Sequence, residues 1–472
     1  MLKAFGKDLL IYGLSSSFGK FLTLLLVPVY TRIFSPEVYG IMDLISTIVT
    51  IGAVLGTMQL ESAVSRYYYA EKEESSRNRM VSTALWSILC TSLLLLLMVF
   101  IFSTKLSTEF FKTTEYSSHI VIACLIIPLA NLTSLFTVVI RFKKKPVHYL
   151  FFQLLQIGIT IGLTIFLAVY LKTGIIGVFI GQLVGFAVSV LLMSIYLRHQ
   201  LAFTWNATEF KKMAHFSLPL VPSVAGGWAN SYVNRFVMLG YLSVTEIGLY
   251  AVALKISSVF QLLGSTLRMA SGPFFWETFE KNPNHREVFK MIQKEFSMAV
   301  LMIVIMITLF SKEIILILTT SPYLPAAQLI GLISLSIAIT SIIEPLTGVG
   351  PGITKKTKYN TLIYFLSLPV NIAFLFILVP KVGVIGVPIS LLIGNLIFLI
   401  VGWYNSEKLY YIGFEKLPMF INFMAAFTII LIDIHFNLHI IVKILITGLL
   451  VLYLSIKYGS KFIPLIKKYT TS

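Results

Sequence analysis

The chain has 472 residues, of which 57% are hydrophobic and only 12% are charged, and its net charge is +17. This composition excludes a soluble globular protein, because a water-exposed surface needs more charged residues. The uncharged stretches are longer than the strands of about 10 residues found in membrane β-barrels. We therefore predict an all-α integral membrane protein.

About 20 apolar residues are needed for a helix to cross the hydrocarbon core, and runs of this kind recur along the chain. We predict fourteen transmembrane helices near residues 9–32, 39–63, 80–103, 117–140, 147–171, 174–197, 214–240, 246–270, 292–311, 323–345, 359–379, 383–404, 417–434 and 440–457. Charges or short length weaken the first two, the seventh and eighth, and the last two.

A shift of 209 residues aligns the chain with itself. The shift places Lys172–Val178 on Lys381–Val387 and Glu37 on Glu246. Since a shift of six spans restores the same orientation, we expect two parallel six-helix repeats around a central cavity, as in some transporters. The predicted divisions are an N-lobe at 1–212, a C-lobe at 213–404, and two extra helices with a cytoplasmic tail at 405–472.

Lys and Arg concentrate in alternate loops, for example at Arg141 and Lys143 to Lys145. By the positive-inside rule this distribution predicts that both termini are cytoplasmic. The basic loops then contact anionic lipid head groups. We therefore expect membrane lipids, and not nucleic acid, as their partners.

The sequence carries no arrangement of residues that predicts an enzyme. There is no His-Glu-x-x-His motif, no metal-ligand spacing among the His residues, and no assembled nucleophile and base. The predicted loops are too short for a nucleotide-binding domain or for the catalytic loop of a glycan polymerase or ligase. We expect no cofactor and no metal site.

Charged side chains inside predicted spans are the strongest indication of function, because each costs at least about 2.5–3.5 kcal/mol at mid-bilayer. The repeat tests whether the fold itself requires them. At the 209-residue shift Arg235 meets Leu26 and Lys255 meets Ser46, so these charges are not duplicated. Charges that the duplicated fold does not require are expected to bind a substrate, which is asymmetric. The alternative is that they form ion pairs that hold helices together. The six residues are Lys20, Asp43, Glu61, Arg235, Lys255 and Glu344.

The cations among them predict a cavity that attracts an anion such as a diphosphate. Lys20, Arg235 and Lys255 would supply this charge, with Asn230 and Asn234 on one helix face beside Arg235. For each amide, a hydrogen bond between helices is the alternative. The acidic residues of the set are candidate carriers of a coupling proton or Na⁺: Asp43, Glu61 and Glu344.

Proline residues inside spans are candidate hinges, because proline removes a backbone hydrogen bond and kinks a helix. Pro28 and the pair Pro219 and Pro222 occupy the first helices of the two predicted lobes. Static kinks that only shape the bundle are the alternative.

The segment Pro28–Gly40, together with Asn234–Phe236 and Glu246–Ile256, resembles the polysaccharide-exporting flippases of the multidrug/oligosaccharidyl-lipid/polysaccharide exporter superfamily. The resemblance implies two six-helix lobes around a V-shaped cavity. It also implies transfer of undecaprenyl-diphosphate-linked oligosaccharide across the bacterial inner membrane, for O-antigen, capsule or a related polysaccharide. Partners would then include the glycosyltransferases and the polymerase of the same pathway.

One departure from that resemblance concerns Asn234, where many relatives have Asp before the arginine. It predicts that Arg235 lacks a built-in carboxylate partner and is available for phosphate. Two alternatives from the same architecture remain open at this point. One is a flippase for a lipid-linked peptidoglycan precursor, and the other is a cation-coupled exporter of drugs or metabolites, which predicts an acidic cavity.

Overall fold

The computed structural model describes residues 24–261, 275, 278–347, 349–354, 358–436, 438–450 and 452. The chain divides into two compact units, one of Met1–Lys255 with Lys358–Phe398 and one of Ile256–Thr357 with Leu399–Ser472. The lobe boundaries predicted from the repeat remain a prediction.

The first unit is built from helices joined by short turns. They are α1 (Leu24–Ile33), α2 (Pro36–Gly56), α3 (Leu60–Tyr67), α4 (Glu74–Phe111), α5 (Ser117–Cys124), α6 (Ile126–Phe142), α7 (Pro146–Thr164, continuing as a π-helical turn over Ile165–Tyr170), α8 (Ile175–Tyr196), α9 (Ala207–Ser217), a 3₁₀ turn (Leu218–Leu220), α10 (Val221–Tyr241) and α11 (Val244–Ser257). Except for the last two residues of α11, all belong to this unit.

The second unit contains helices of the later part of the chain, and two helices of that part belong wholly or partly to the first unit. In chain order they are α12 (His285–Leu309), α13 (Ser311–Leu318), a 3₁₀ turn (Ser321–Ala326), α14 (Ala327–Thr347), α15 (Val349–Ile353), α16 (Lys358–Val382), a 3₁₀ turn (Gly383–Ile385), α17 (Gly386–Leu409), α18 (Lys416–Phe436) and α19 (Ile440–Leu450). Of these, α16 and the first part of α17 belong to the first unit.

The all-α membrane fold is confirmed. Among the described residues, nine helical stretches are long and apolar enough to span a membrane, and one of them, Ser367–Leu409, contains two predicted spans. Two shorter apolar helices, α1 and α19, correspond to the first and last predicted spans. The seventh and eighth spans form α10 and α11, whose polar residues lower their hydropathy. These helices are consistent with the fourteen predicted spans, of which the first, eighth and last lie only partly within the described residues.

The second predicted span, 39–63, is broken in the structure. Helix α2 begins at the N-cap Ser35, whose hydroxyl accepts from the Val38 N–H, with Pro36 in the first turn. It ends at Gly56, where Met58 and Gln59 adopt left-handed backbone conformations with φ of 47° and 56°. Glu61 therefore lies on the separate helix α3 and not on the helix that carries Asp43.

The glycines of the two turns that match under the 209-residue shift have nearly the same φ. Gly174 has φ of 67° and Gly383 has φ of 66°. This left-handed region is open to glycine at no steric cost, which explains why the repeat keeps glycine at both turns. Each turn precedes a membrane-spanning helix, α8 in one case and α17 in the other.

The connector, defined here as residues 199–206, joins α8 to α9 and is held along the first turns of α4. The Asn78 amide donates to the His199 carbonyl at 3.0 Å, and the Ser82 hydroxyl accepts from the Ala202 N–H at 2.8 Å. The Trp205 indole donates to the Ser87 hydroxyl at 3.0 Å. Further bonds come from Trp86 and Thr83.

Helix α9 continues this attachment. It packs against α3 and α4, and its Met213 is fully buried in a core that also contains Leu60, Ile88 and Ile140. The connector and α9 are therefore fixed to the first repeat, although the chain has already left its sixth span.

Candidate functional site

Arg235 on α10 forms an ion pair with Asp43 on α2. The Arg235 Nε lies 3.1 Å from Asp43 Oδ2, and the side chains are 3% and 21% exposed. The pair joins one helix of the first predicted repeat to one helix of the second. A buried arginine needs such a partner, because an unpaired charge at this depth is costly.

The guanidinium of Arg235 is held from several directions. Its Nη1 donates to the Ser231 carbonyl at 2.8 Å and to Asn234 Oδ1 at 3.1 Å. Its Cζ lies 5.0 Å from the centroid of the Tyr232 ring and 5.4 Å from that of Tyr250. Cation–π contact with two rings stabilises the charge without neutralising it.

Asn234 connects the arginine to α11. Its amide nitrogen donates to the Tyr250 hydroxyl at 2.6 Å, while its oxygen accepts from Arg235. Both Asn234 and Tyr250 are fully buried. The amide thus acts as a hydrogen bond between helices, which is the alternative that the sequence left open for each amide.

Lys255 lies one and a half turns beyond Tyr250 on α11 and interacts electrostatically with Asp43. Two cations and one carboxylate, Arg235, Lys255 and Asp43, leave this cluster with a net positive charge. We refer to these three residues with Asn234, Tyr232 and Tyr250 as the arginine cluster. An excess positive charge in a membrane interior favours an anionic ligand.

Two further contacts connect α10 to its neighbours. Asn371 on α16 donates to Asn230 Oδ1 at 3.5 Å, and the Oδ1 of the buried Asn371 has no partner among the described residues. The Trp228 indole donates to the Thr50 hydroxyl on α2 at 3.0 Å and stacks on Tyr232. Asn230 therefore faces α16, whereas Arg235 faces α2.

Arg235 lacks a carboxylate at the adjacent position, as predicted, but it has a carboxylate partner on another helix. The residue before it is indeed Asn234, but Asp43 supplies the carboxylate from 192 positions earlier in the chain. The sequence interpretation considered only the adjacent position. Asp43, expected as an ion carrier, is thus also a direct partner of the arginine.

The remaining candidate residues are placed as follows. Lys20 lies outside the described residues, and so does the side chain of Glu344, whose backbone lies on α14. Glu61 follows the break after α2, about 20 Å along the helix axis from the level of Asp43. Its Oε2 is buried with no hydrogen-bond partner in the described part of the chain.

The proline candidates lie where helices change direction or geometry. Pro219 is in the 3₁₀ turn between α9 and α10, and Pro222 is in the first turn of α10. Pro28 lies within α1. Their role as hinges stays a prediction.

Sequence reasoning missed several residues of this region. Tyr232 is three residues before Arg235, so helical spacing alone could have placed it beside the charge. Tyr250 and Asn371 come from other helices, and no local pattern indicates them. Within the described residues, no group of three or more His, Cys, Asp or Glu side chains could hold a metal ion.

Comparison with known proteins gives the family. A family model described as polysaccharide biosynthesis protein matches residues 29–328, which is more than half of the chain. A search of curated protein sequences gave no match.

Solved structures share the fold. The lipid II flippase MurJ in its inward closed conformation superposes with a TM-score of 0.76 at 16% identity, covering 96% of this chain and 99% of that one. An inward-facing multidrug resistance transporter of the MATE family and MOP superfamily gives 0.63 at 16% identity, covering 82% and 94%. A MOP superfamily transporter from Pyrococcus furiosus, described as having a binding pocket of reversed polarity, gives 0.56 at 15% identity, covering 85% and 95%. The chain belongs to the polysaccharide biosynthesis protein family and has the membrane fold of the MOP superfamily.

Proposed function

We propose that the protein is a flippase that moves undecaprenyl-diphosphate-linked oligosaccharide across the bacterial inner membrane by alternating access. The glycan would serve O-antigen, capsule or a related polysaccharide. The family match supports polysaccharide biosynthesis, and the fold supports a transporter. The observation that carries the proposal is the arginine cluster, a buried and net positive group between helices of the two repeats.

The arginine cluster suggests how a diphosphate would be recognised. Lys255 is partly exposed and makes the first contact as a point charge. Asp43 meets the guanidinium of Arg235 through a single Nε contact, so other N–H groups of the fork can turn to phosphate oxygens. The phosphate then competes with Asp43 for Arg235. Substrate binding would thereby loosen the joint between α2 and α10.

Close helix contact nearby provides the element that would open. The N-terminal ends of α2 and α11, which correspond under the 209-residue shift, meet at Gly40 and Gly248. A Cβ atom on Gly248 would lie 1.8 Å from the Pro36 carbonyl oxygen, and one on Gly40 would lie 2.2 Å from the Val244 carbonyl oxygen. With both chain termini in the cytoplasm, these ends lie toward the outer face and close it. Their separation would release the head group outward.

The attachment of α9 to the first repeat supports a hinge at the proline pair. Because the connector and α9 are bound to α3 and α4, motion of α10 must be taken up after Ser217. The chain there forms the 3₁₀ turn with Pro219, followed by Pro222. Pro28 in α1 would act at the corresponding place in the first lobe. A ligand drives such motion only by binding the two states differently.

Proton or Na⁺ coupling would act on the same ion pair, between Asp43 on α2 and Arg235 on α10. Neutralising Asp43 would release Arg235 as effectively as phosphate does, which makes Asp43 the first candidate carrier. Glu61 and Glu344 remain further candidates. Lys20 remains a proposed contact of the diphosphate. Polymerase and glycosyltransferases of the pathway would act before and after the transfer.

The test is glycan export in cells that carry Arg235→Ala, Arg235→Lys or Lys255→Gln at equal protein level. We expect Arg235→Ala to abolish export and to accumulate lipid-linked oligosaccharide on the cytoplasmic face. Arg235→Lys keeps the charge without the fork and should retain only a small fraction. Arg286→Ala removes an arginine that also contacts an aromatic ring, Tyr410, and serves as the matched control. Normal export by Arg235→Ala would refute the site.

A second candidate substrate is a lipid-linked peptidoglycan precursor, favoured by the superposition on the lipid II flippase over nearly the whole chain. Depletion of the protein distinguishes the two substrates. Lysis of growing cells would indicate the peptidoglycan precursor, whereas loss of surface glycan with normal growth would indicate the oligosaccharide. The net positive arginine cluster disfavours the third candidate, an exporter of cationic drugs.

A further inference from the structure

A second buried charge cluster lies in the second unit, at the ends of membrane-spanning helices. Lys443 on α19 is 3% exposed at its side chain, and its Nζ lies 3.2 Å from both carboxylate oxygens of Glu313. The same Nζ lies 3.9 Å from Asp433 Oδ1. Since Lys443 is bound to Glu313, it attracts Asp433 without a hydrogen bond to it.

Asp433 lies beside this ion pair and has one buried oxygen, Oδ1, that accepts no hydrogen bond from the described residues. Its side chain is 12% exposed. A carboxylate at this depth is stabilised by hydrogen bonds from N–H or O–H groups, and the described part of the protein supplies none to Oδ1. The exposed edge of the same carboxylate borders a cavity.

This cavity has a volume of about 400 Å³ and holds opposite charges on its wall. Asp433 and Lys312 provide these charges. Together with Glu313 and Lys443 behind them, they make two ammonium and two carboxylate groups, so the site is neutral but dipolar. The remaining lining residues are Ser311, Ser321, Leu324, Pro325, Ala327, Gln328 and Ile434. A cavity of this volume is large enough for a small ligand.

The position of the cavity selects the kind of ligand. Ser311 follows the end of α12, Asp433 lies in the last turn of α18, and Ala327 begins α14. Each of these helices belongs to a stretch able to span a membrane, so the cavity lies at the level where lipid head groups meet the protein. On α13 nearby, Leu316 and Ile317 are 56% and 71% exposed, as expected for residues that face acyl chains.

We propose that this cavity binds the head group of a phosphoethanolamine lipid. The ligand ammonium donates to the Asp433 carboxylate, and the ligand phosphate accepts from Lys312 and Gln328. The acyl chains then run over Leu316 and Ile317. A choline head group has no N–H to donate to Asp433, and a glycerol head group has no cation. The neutral site therefore discriminates among the common membrane lipids by hydrogen-bond donation and charge.

The test is lipid retention by the purified full-length protein, measured by native mass spectrometry with equal amounts of phosphatidylethanolamine, phosphatidylcholine and phosphatidylglycerol. We expect about tenfold tighter retention of phosphatidylethanolamine than of phosphatidylcholine, the size of one lost hydrogen bond to a charged group. Lys312→Gln and Asp433→Asn should each remove this preference. Lys294→Gln, which breaks an exposed pair with Glu415 in the same unit, should keep it.

Lys312→Gln decides the outcome if Asp433→Asn fails to fold, because Lys312 lies on the cavity wall and forms none of the ion pairs of Lys443. Equal retention of the three lipids by the unaltered protein would overturn the proposal. Persistence of the preference in Lys312→Gln would overturn it as well. Displacement of the lipid by an equal concentration of soluble glycerophosphoethanolamine would show that the ligand is not a lipid.

Discussion

The two buried ion clusters differ in how many carboxylates compensate the buried cation. Arg235 and Lys443 are both almost inaccessible, at 3% and 2% exposure. Arg235 shares one carboxylate with Lys255, which leaves the arginine cluster positive. Lys443 faces two carboxylates, Glu313 and Asp433. The first arrangement leaves charge for an anion, and the second fastens α19 to α13 and α18.

The two ion pairs differ in the number of contacts between the carboxylate and the cation. Asp43 contacts Arg235 through one nitrogen, and in the proposed mechanism the phosphate of the substrate replaces it. Glu313 contacts Lys443 through both oxygens. Buried charge by itself therefore does not identify a substrate site. The net charge of the cluster and the helices that its ion pair connects are better indications of a substrate site.

The largest effect is expected for Lys443→Met, which leaves the partly buried Glu313 and Asp433 without their cation. We expect a loss of about 3–5 kcal/mol in stability, the usual cost of breaking a buried pair. Thermal unfolding of the purified protein measures it. The triple variant Lys443→Met, Glu313→Gln, Asp433→Asn removes the unpaired charges and should recover most of the loss. No recovery would show that Lys443 stabilises the protein by packing and not by its charge.

Gly248→Ala tests whether the arginine cluster depends on the contact between α2 and α11. The added methyl group would overlap the Pro36 carbonyl, so the helices must separate, at a cost of about 1–3 kcal/mol. We expect greater labelling of Ser46→Cys, three residues after Asp43 on α2, by an aqueous reagent from the outer side. Gly227→Ala, where a Cβ meets nothing within 4 Å, is the matched control. Unchanged labelling would argue against these glycines as a gate.

Tyr250→Phe addresses a single hydrogen bond of the arginine cluster. It leaves the Asn234 amide buried without its acceptor, at a cost of about 1–3 kcal/mol, while the ring beneath Arg235 stays in place. The measurement is the unfolding midpoint together with glycan export. Tyr323→Phe is the control, since Tyr323 is equally buried and belongs to the second unit. A drop in export with unchanged stability would mean that the hydroxyl contacts the substrate.

The ion pair of Glu71 and Lys212 at the surface is expected to have the smallest effect of the pairs compared. Its contribution to the free energy of unfolding should be below about 1 kcal/mol. The hydrogen bond from Lys212 lowers the pKa of Glu71 from its ordinary value of 4.5 and raises the pKa of Lys212 from 10.5. The pair therefore stabilises fully between these ordinary values. The contribution is lost as pH falls through the lowered pKa of Glu71 or rises through the raised pKa of Lys212.

Glu71→Gln should abolish that pH dependence and change the unfolding midpoint only slightly at neutral pH. Unfolding of both proteins across pH measures the difference. Glu73→Gln, two residues away and outside this ion pair, is the control. A large loss at neutral pH would show that this surface pair does more than surface pairs usually do.

The sequence predicted the fold well because its signals are periodic and local. Uncharged runs of about 20 residues indicate membrane helices, and the glycine turns at Gly174 and Gly383 indicate the repeat. The break after Gly56 was missed, because neither Met58 nor Gln59 is a residue that favours left-handed backbone. At its end α2 packs closely against α6, because a Cβ on Gly56 would lie 2.3 Å from the Asn131 amide nitrogen.

The candidate site was predicted only in part. Burial cost alone singled out Arg235, Lys255 and Asp43, and the structure brings these three residues together. The pairing of Asp43 with Arg235 was not predicted, because it depends on which faces of α2 and α10 meet. Lys443 was not predicted as a site residue, because its partners Glu313 and Asp433 are distant from it in the chain and no local pattern indicates them.

The connector has a consequence for how the protein is made. Among the described residues, the core that contains Leu60, Ile140 and Met213 includes none after Phe216, so this core can form once residue 216 has left the ribosome. The Ser, Thr and Trp side chains on α4 are synthesised more than 100 residues before the segment they bind. When that segment docks, the first half is closed on itself before α10 is inserted. The second half is thus inserted beside a finished neighbour, with Arg235 meeting an Asp43 that is already in position.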